Sequence, residues 1–249
     1  MVSVEAMRQI LARDPKSRIL ACAPSNSAAD LLADRLRQQG IAPSEMFRLN
    51  AATRLVSALP GTLKTYARIS DNAFVIPPVG DLGKFRVVVA TCISASLPYA
   101  LGIERGHFSH VFIDEAGQAL EPEAMIAIRT MAGVNTNVVL SGDPQQLGPI
   151  VRSRIAERLG LATSYLDRLM NRDIYNLDTG KGITLGNYVT IVSATYSLVY
   201  LFAASSSSPK TSGAIRRSSL IRMICSIKGI CRFGQIQWLS TVSLGGVDL

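Results

Sequence analysis

The stretch Val111-Phe112-Ile113-Asp114-Glu115-Ala116-Gly117-Gln118 restricts the fold more than any other part of the chain. Three large apolar residues run straight into two adjacent carboxylates. An apolar run without polar alternation is the pattern of a strand buried on both faces, as in a parallel sheet. Ligands of such sheets bind outside the carboxyl ends of the strands, so the acids are delivered to the edge where binding takes place. There Asp114 is placed to hold a magnesium ion, directly or through water, and Glu115 to polarise a water that attacks a terminal phosphate. The same pair also fits a plain strand end followed by a helix cap. The surrounding segments decide between the two.

Read in order, the chain repeats one pattern. Val4, Met7, Ile10 and Leu11 fall at helical spacing over residues 2 to about 13, and Asp14-Pro15 ends the run. Arg18 to Ala23 reads as a short buried strand. Pro24-Ser25-Asn26-Ser27 turns it into a helix from about Ala28 to Gln39, stopped by Gly40. From Ile41 to Lys84 the pattern is broken by Pro60, Gly61, Pro77, Pro78, Gly80 and Gly83, with Met46 to Leu49 as the one strand candidate. Phe85 to Ala90 is a second buried strand, Ser94 to Leu101 a helix, and His110 to Ile113 the strand that carries the acid pair. A helix from about Glu121 to Met131 and a strand over Val138 to Leu140 follow, then helices near Ser153 to Leu159 and Thr163 to Met170. Strand and helix in alternation, with continuously apolar strands, predict an α/β fold: a parallel sheet with helices on both faces.

Composition narrows the partners. The 249 residues are 48% hydrophobic, enough for a real core, and the net charge of +8 favours a polyanion such as nucleic acid. Residues 186–249 hold six basic residues against Asp248 alone, so five of the eight net charges lie there. Cys22, Cys92, Cys225 and Cys231 stand far apart or without a metal-ligand partner, which fits reduced thiols and neither a disulfide frame nor a zinc site. The charged N-terminal residues Glu5, Arg8, Arg13 and Asp14 lack the apolar core of a signal peptide. His107 and His110 have no partner cysteines, and Asp178-Thr179-Gly180-Lys181-Gly182 lacks the spacing of a phosphate loop; both are set aside. Tyr165, Leu166, Leu169 and Met170 read as core.

Three strand ends then converge, carrying Ala23-Pro24-Ser25-Asn26-Ser27, Asp114-Glu115-Ala116-Gly117 and Gly142-Asp143-Pro144-Gln145-Gln146-Leu147. In sequence and order these resemble motifs Ia, II and III of superfamily 1 helicases, in the group containing the nonsense-decay and Moloney-leukaemia-virus-ten (Armitage-like) RNA helicases. The Asp-Glu-Ala-Gly spelling is similar to the Armitage branch in particular. The resemblance implies a RecA-like domain of the P-loop NTPase type that acts with ATP and magnesium on single-stranded RNA, unwinding 5′ to 3′. It implies a magnesium-binding Asp114, Glu115 and Gln146 as catalytic residues, and Asp143 as a second nucleotide-contacting residue. Pro24, Ser25, Asn26, Ser27 and Thr91 would contact RNA. An amide suits Gln146 because it can bond phosphate or water without changing charge. For Ser25 to Ser27 a helix cap is an equally good reading, and for Thr91 a simple strand-end hydroxyl. The family also implies cytoplasmic work, in RNA granules among other places, with RNA-silencing or RNA-decay proteins.

No Gly-x-x-x-x-Gly-Lys-Thr loop occurs in the chain, and Val4-Glu5-Ala6-Met7 resembles the segment that follows that loop in the family. No second RecA-like domain is recognisable after Lys181. The expectation is therefore a partial first RecA-like domain over 1–184, inactive as an ATPase by itself, lacking the P-loop strand. Residues 185–249 would be a divergent, poorly ordered tail or a segment of other than helicase origin. Gly186 to Ser208 has no charged residue, and Tyr188 to Ala204 could be weighed as a membrane span. Thr190, Ser193, Thr195 and Ser197 dilute it, which argues against insertion. Two other readings stay open: a non-enzymatic RNA- or protein-binding fragment that competes with a full helicase, and a gene-model fragment.

Overall fold

The computed structural model describes residues 2–143, 148–172 and 190–193. Helix α1 (Val2–Arg13) leads into β1 (Ile19–Ala23), α2 (Asn26–Gln38) and β2 (Met46–Arg48). The punctuated region supplies two 3-10 turns, Val56–Ala58 and Gly61–Tyr66, a small antiparallel pair, β3 (Ile69–Ser70) with β4 (Ala73–Phe74), and α3 (Val79–Leu82). Asp71 and Asn72 both have positive φ, the two-residue turn that suits the twist of such a pair. Next come β5 (Val87–Thr91), α4 (Leu97–Ala100), β6 (His110–Ile113), α5 (Glu121–Met131), β7 (Asn137–Gly142), α6 (Arg154–Ala156) and α7 (Tyr165–Met170). Last among the described elements is β8 (Thr190–Ser193).

Six strands form one sheet in the order β2-β5-β1-β6-β7-β8, every adjacent pair parallel. Burial explains why these sequences make it. Along β1, Ile19, Ala21 and Ala23 face one core with Met7, Ile10, Leu32 and Leu36 from α1 and α2. Leu20 and Cys22 face a second core with Ala124, Ala127 and Met131 from α5. Alternate residues thus serve opposite layers, both covered by helices. The expected α/β fold is what is observed.

Two expected helices differ in detail. Ser94 to Leu101 is split into a 3-10 turn, Ser94–Ser96, and the short α4, with Pro98 in its first turn. A proline has no N–H to continue the helical bonding and fits only at a helix start. Likewise Ser153 to Leu159 is α6 followed by a π turn over Glu157–Leu161, where Gly160 takes φ +94°. Within the segment read as a tail, Thr190–Ser193 lie parallel to β7, with Val139 opposite Thr190 and Gly142 opposite Ser193. The rest of that segment, including most of the apolar stretch 188–204, is outside the described residues. Among the described residues no helix is long and apolar enough to cross a membrane.

Candidate functional site

All strands of the main sheet are parallel, so the segments after β5, β1, β6 and β7 emerge side by side at one edge. Thr91, the Pro24–Ser27 turn, the Asp114-Glu115 pair and Gly142-Asp143 occupy that edge in that spatial order. The register is tight: the Asp114 N–H donates to the Cys22 carbonyl at 2.8 Å, and the Cys92 N–H to the Ala23 carbonyl at 2.8 Å.

Strand alternation determines what Asp114 meets. Phe112 and Val139 face the α1–α2 layer, so two residues further on Asp114 and Ser141 face it as well. Asp114 is 5% exposed. Its Oδ1 accepts from the Ser141 hydroxyl at 2.7 Å and from the Ser3 hydroxyl, on α1, at 3.0 Å. Burial pushes the Asp114 carboxyl above its ordinary range. The two hydroxyls, the Glu115 N–H and the Arg35 guanidinium on α2 pull the other way. The donor set is all oxygen, one carboxylate beside two hydroxyls, which suits a hard ion such as magnesium. Among the described residues no group of three or more His, Cys, Asp or Glu could hold a metal. An ion here would therefore be held by one or two carboxylates, waters and substrate phosphates, the usual manner for magnesium.

Glu115 leaves the strand pattern. Its φ of +54° is the left-handed region that side chains other than glycine rarely adopt. Such strain persists where the surroundings over-determine it, and it concentrates at functional positions. Here the Ala116 N–H donates to the Ser141 carbonyl at 2.8 Å, and Gln118 Nε2 donates to Glu115 Oε2 at 3.2 Å. Burial first, then the neighbouring charges of Asp114 and Asp143, raise the Glu115 carboxyl, while Arg35 opposes them. A carboxyl raised toward neutrality in this way is suited to taking a proton from water. Gln146, together with Pro144, Gln145 and Leu147, lies outside the described residues.

In the turn that leaves β1, Ser25 is the N-cap of α2. Its Oγ accepts from the Ala28 N–H at 3.1 Å and lies 2.9 Å from Ser27 Oγ. Asn26 is exposed at the first helical position. Thr91 turns its hydroxyl back onto its own turn, donating to Ser94 Oγ at 3.0 Å and accepting the Ser94 N–H at 3.2 Å. Ser25 and Thr91 thus both have the local structural roles that their sequence positions also allowed.

Sequence reasoning missed several residues at this edge. Ser3 and Ser141 were not singled out, although alternation from Val139 would have placed Ser141 beside Asp114. Arg35, one of several charged residues of α2, and Arg48, at the end of β2, carried no signal beyond their charge. Arg48 is fully buried and bonds Asp30 Oδ1 at 2.9 Å, the Leu49 carbonyl at 2.7 Å and Asn26 Oδ1 at 3.2 Å. Arg54 holds the same aspartate at both oxygens, at 2.9 and 2.5 Å.

Comparison with known proteins gives a consistent result. Residues 82–154 match the family described as an AAA domain. The human RNA helicase Mov10l1 is 43% identical over 176 residues, 70% of this chain and 14% of that protein. The zebrafish (Danio rerio) putative helicase mov-10-B.1 is 40% identical over 181 residues, 71% of this chain and 18% of its own length. The Drosophila melanogaster probable RNA helicase armi is 35% identical over 196 residues, 72% of this chain and 16% of its own. The chain therefore spans less than a fifth of the length of these relatives.

Proposed function

Because the chain belongs to the Mov10- and Armitage-like group of superfamily 1 helicases, we propose that the carboxyl edge of its sheet is the nucleotide and RNA side of a first RecA-like motor domain. The substrates are ATP, with magnesium, and single-stranded RNA. The supporting observation is the pairing of a buried Asp114, held by Ser3 and Ser141, with a backbone-strained Glu115 whose carboxyl is raised. Asp114 would hold magnesium, alone or through water. Magnesium held there would supply positive charge against the developing charge of the phosphates. Glu115 would orient the attacking water and accept its proton, with Gln146 as the amide that bonds water or phosphate. Asp143, whose charge already acts on Glu115, would help transmit nucleotide state to the nucleic-acid face. Pro24, Ser25, Asn26, Ser27 and Thr91 would hold the RNA backbone without reading sequence. We place this activity in the cytoplasm, among RNA-silencing or RNA-decay proteins.

The chain contains no Gly-x-x-x-x-Gly-Lys-Thr loop to cradle β- and γ-phosphates, so the expected turnover of the chain by itself is negligible. Phosphate release measured with saturating single-stranded RNA tests this, and robust turnover abolished by Glu115→Gln would overturn it. The same lack of a phosphate loop favours a second reading, a nucleotide-independent RNA-binding fragment. RNA affinity measured with and without ATP and magnesium separates the two: a nucleotide-coupled change supports a motor half, an unchanged affinity the fragment.

A further inference from the structure

We infer that Arg48 is a positioning residue for RNA binding, which locks the Asn26 amide so that its NH2 group faces outward as a phosphate donor. This rests on the proposed contact between the Pro24–Ser27 turn and the RNA backbone.

Arg48 ends β2, and its side chain is wholly buried beneath the start of α2. Burying a guanidinium is costly, and an apolar side chain of similar volume often serves a core as well or better. Neutralising Asp30 does not account for Arg48, because Arg54 already bonds both oxygens of that carboxylate. Beyond the Leu49 carbonyl, which Nη1 bonds at 2.7 Å within its own segment, what Arg48 adds is a bond from Nη2 to Asn26 Oδ1 at 3.2 Å, backed by a longer approach to the Asn26 carbonyl at 3.5 Å.

An arginine offers only donors. The Asn26 atom facing it is therefore the oxygen, and the NH2 group is turned to the exposed side. Asn26 is the first residue of a helix whose Ala28 and Ala29 N–H groups are already taken by Ser25. The N–H groups of Asn26 and Ser27 precede any intrahelical acceptor. The Asn26 NH2 thus joins two backbone donors at a helix N-terminus, where the macrodipole also favours an anion. Arg48 and Arg54 against Asp30 leave one net positive charge directly beneath.

The test uses the whole chain and a fluorescein-labelled single-stranded oligouridylate, with affinity read by anisotropy across a salt series. Asn26→Ala is expected to weaken binding about tenfold, the loss of one hydrogen bond to a charged group. Arg48→Met should weaken it by the same factor, and the double variant should be no weaker than either single one. Because Arg48 never touches phosphate, its substitution should leave the slope of log affinity against log salt unchanged. A slope shallower by about 0.7 would mean a direct contact and overturn the assignment. Arg54→Met disturbs the same aspartate without releasing Asn26, so it should lower the melting temperature while keeping RNA affinity. Equal loss of affinity in Arg54→Met and Arg48→Met would overturn the assignment, as would multiplying losses in the double variant. Should Arg48→Met fail to fold, Asn26→Asp decides: it keeps the Arg48 bond but presents an anionic oxygen, and must bind more weakly than Asn26→Ala. An Asn26→Ala variant that binds as wild type sinks the RNA contact itself. Normal binding by Arg48→Met beside a weakened Asn26→Ala sinks only the positioning role.

Discussion

Gly142 and Ala116 are pressed together so closely that a β-carbon on Gly142 would stand 2.9 Å from the Ala116 nitrogen and equally close to that of Gly117. The end of β7 and the Asp-Glu turn therefore form one unit, tied further by the Ala116 N–H to Ser141 carbonyl bond. Gly142→Ala should cost about 1–3 kcal/mol in urea unfolding, the usual range for overpacking a filled site. Gly61, exposed and with no atom within 4 Å of where its β-carbon would stand, offers the contrast. Gly61→Ala should be neutral or stabilise by up to about 1 kcal/mol, through the lost entropy of the unfolded chain.

The role proposed for Asp114 sets function against stability. Its folded carboxyl lies above the ordinary range because of burial, so the folded state binds that proton more tightly than the unfolded state does. The favourable contribution is complete below the unfolded pKa and disappears as pH rises through the folded one. Asp114→Asn should therefore flatten this part of the stability profile and raise stability near neutrality relative to wild type. Under the magnesium role proposed for Asp114, it should also abolish any magnesium dependence of nucleotide affinity. Denaturation across a pH series, paired with a nucleotide titration with and without magnesium, checks both; a destabilised Asp114→Asn at neutral pH would contradict the argument.

The Asp30 cluster ranks two ion pairs by burial. Burial brings the Arg48 guanidinium down to about 10, so it still carries its charge at neutral pH. Asp30→Ala would leave Arg48 and Arg54 as buried cations without their carboxylate, at a cost of about 3–5 kcal/mol. The Arg168–Glu121 pair joins α7 to α5 with side chains 48% and 32% exposed, and breaking it with Arg168→Met should cost at most about 1 kcal/mol. Chemical unfolding of both variants measures the difference, and similar losses would refute the ranking.

Two thiols report on the core. Cys22 and Cys92 are buried, and burial pushes the Cys92 thiol up to about 12 and the Cys22 thiol well above its usual value. A thiolate is the reactive form. Peptide mass mapping after brief iodoacetamide treatment at neutral pH should find both residues unmodified in the native chain and labelled in urea. Rapid native labelling of Cys22 would be incompatible with a central strand covered on both faces.

The sequence by itself determined the layers and the edge. The apolar runs Ile19 to Ala23, Val87 to Ala90 and Val111 to Ile113 could be satisfied only as strands covered on both sides. The residues that end them, Pro24-Ser25-Asn26-Ser27, Thr91 and Asp114-Glu115, and Gly142-Asp143 at the end of β7, had to come out together once those strands were parallel. Such features are local: they follow from periodicity and from what each strand end carries.

Tertiary structure alone decided the neighbours reached across long separations. Ser3 meets Asp114 from 111 positions away. Arg48 meets Asn26 across 22 positions. Ser3 and Arg48 are polar residues in mostly apolar surroundings, but neither belongs to a motif that names its partner. Register and helix packing brought them into contact, because hydrogen bonds between distant side chains depend on where whole elements dock and leave no period in the sequence. The positive φ of Glu115 belongs to the same class, since nothing in Asp-Glu-Ala-Gly encodes a left-handed turn until β7 packs against it.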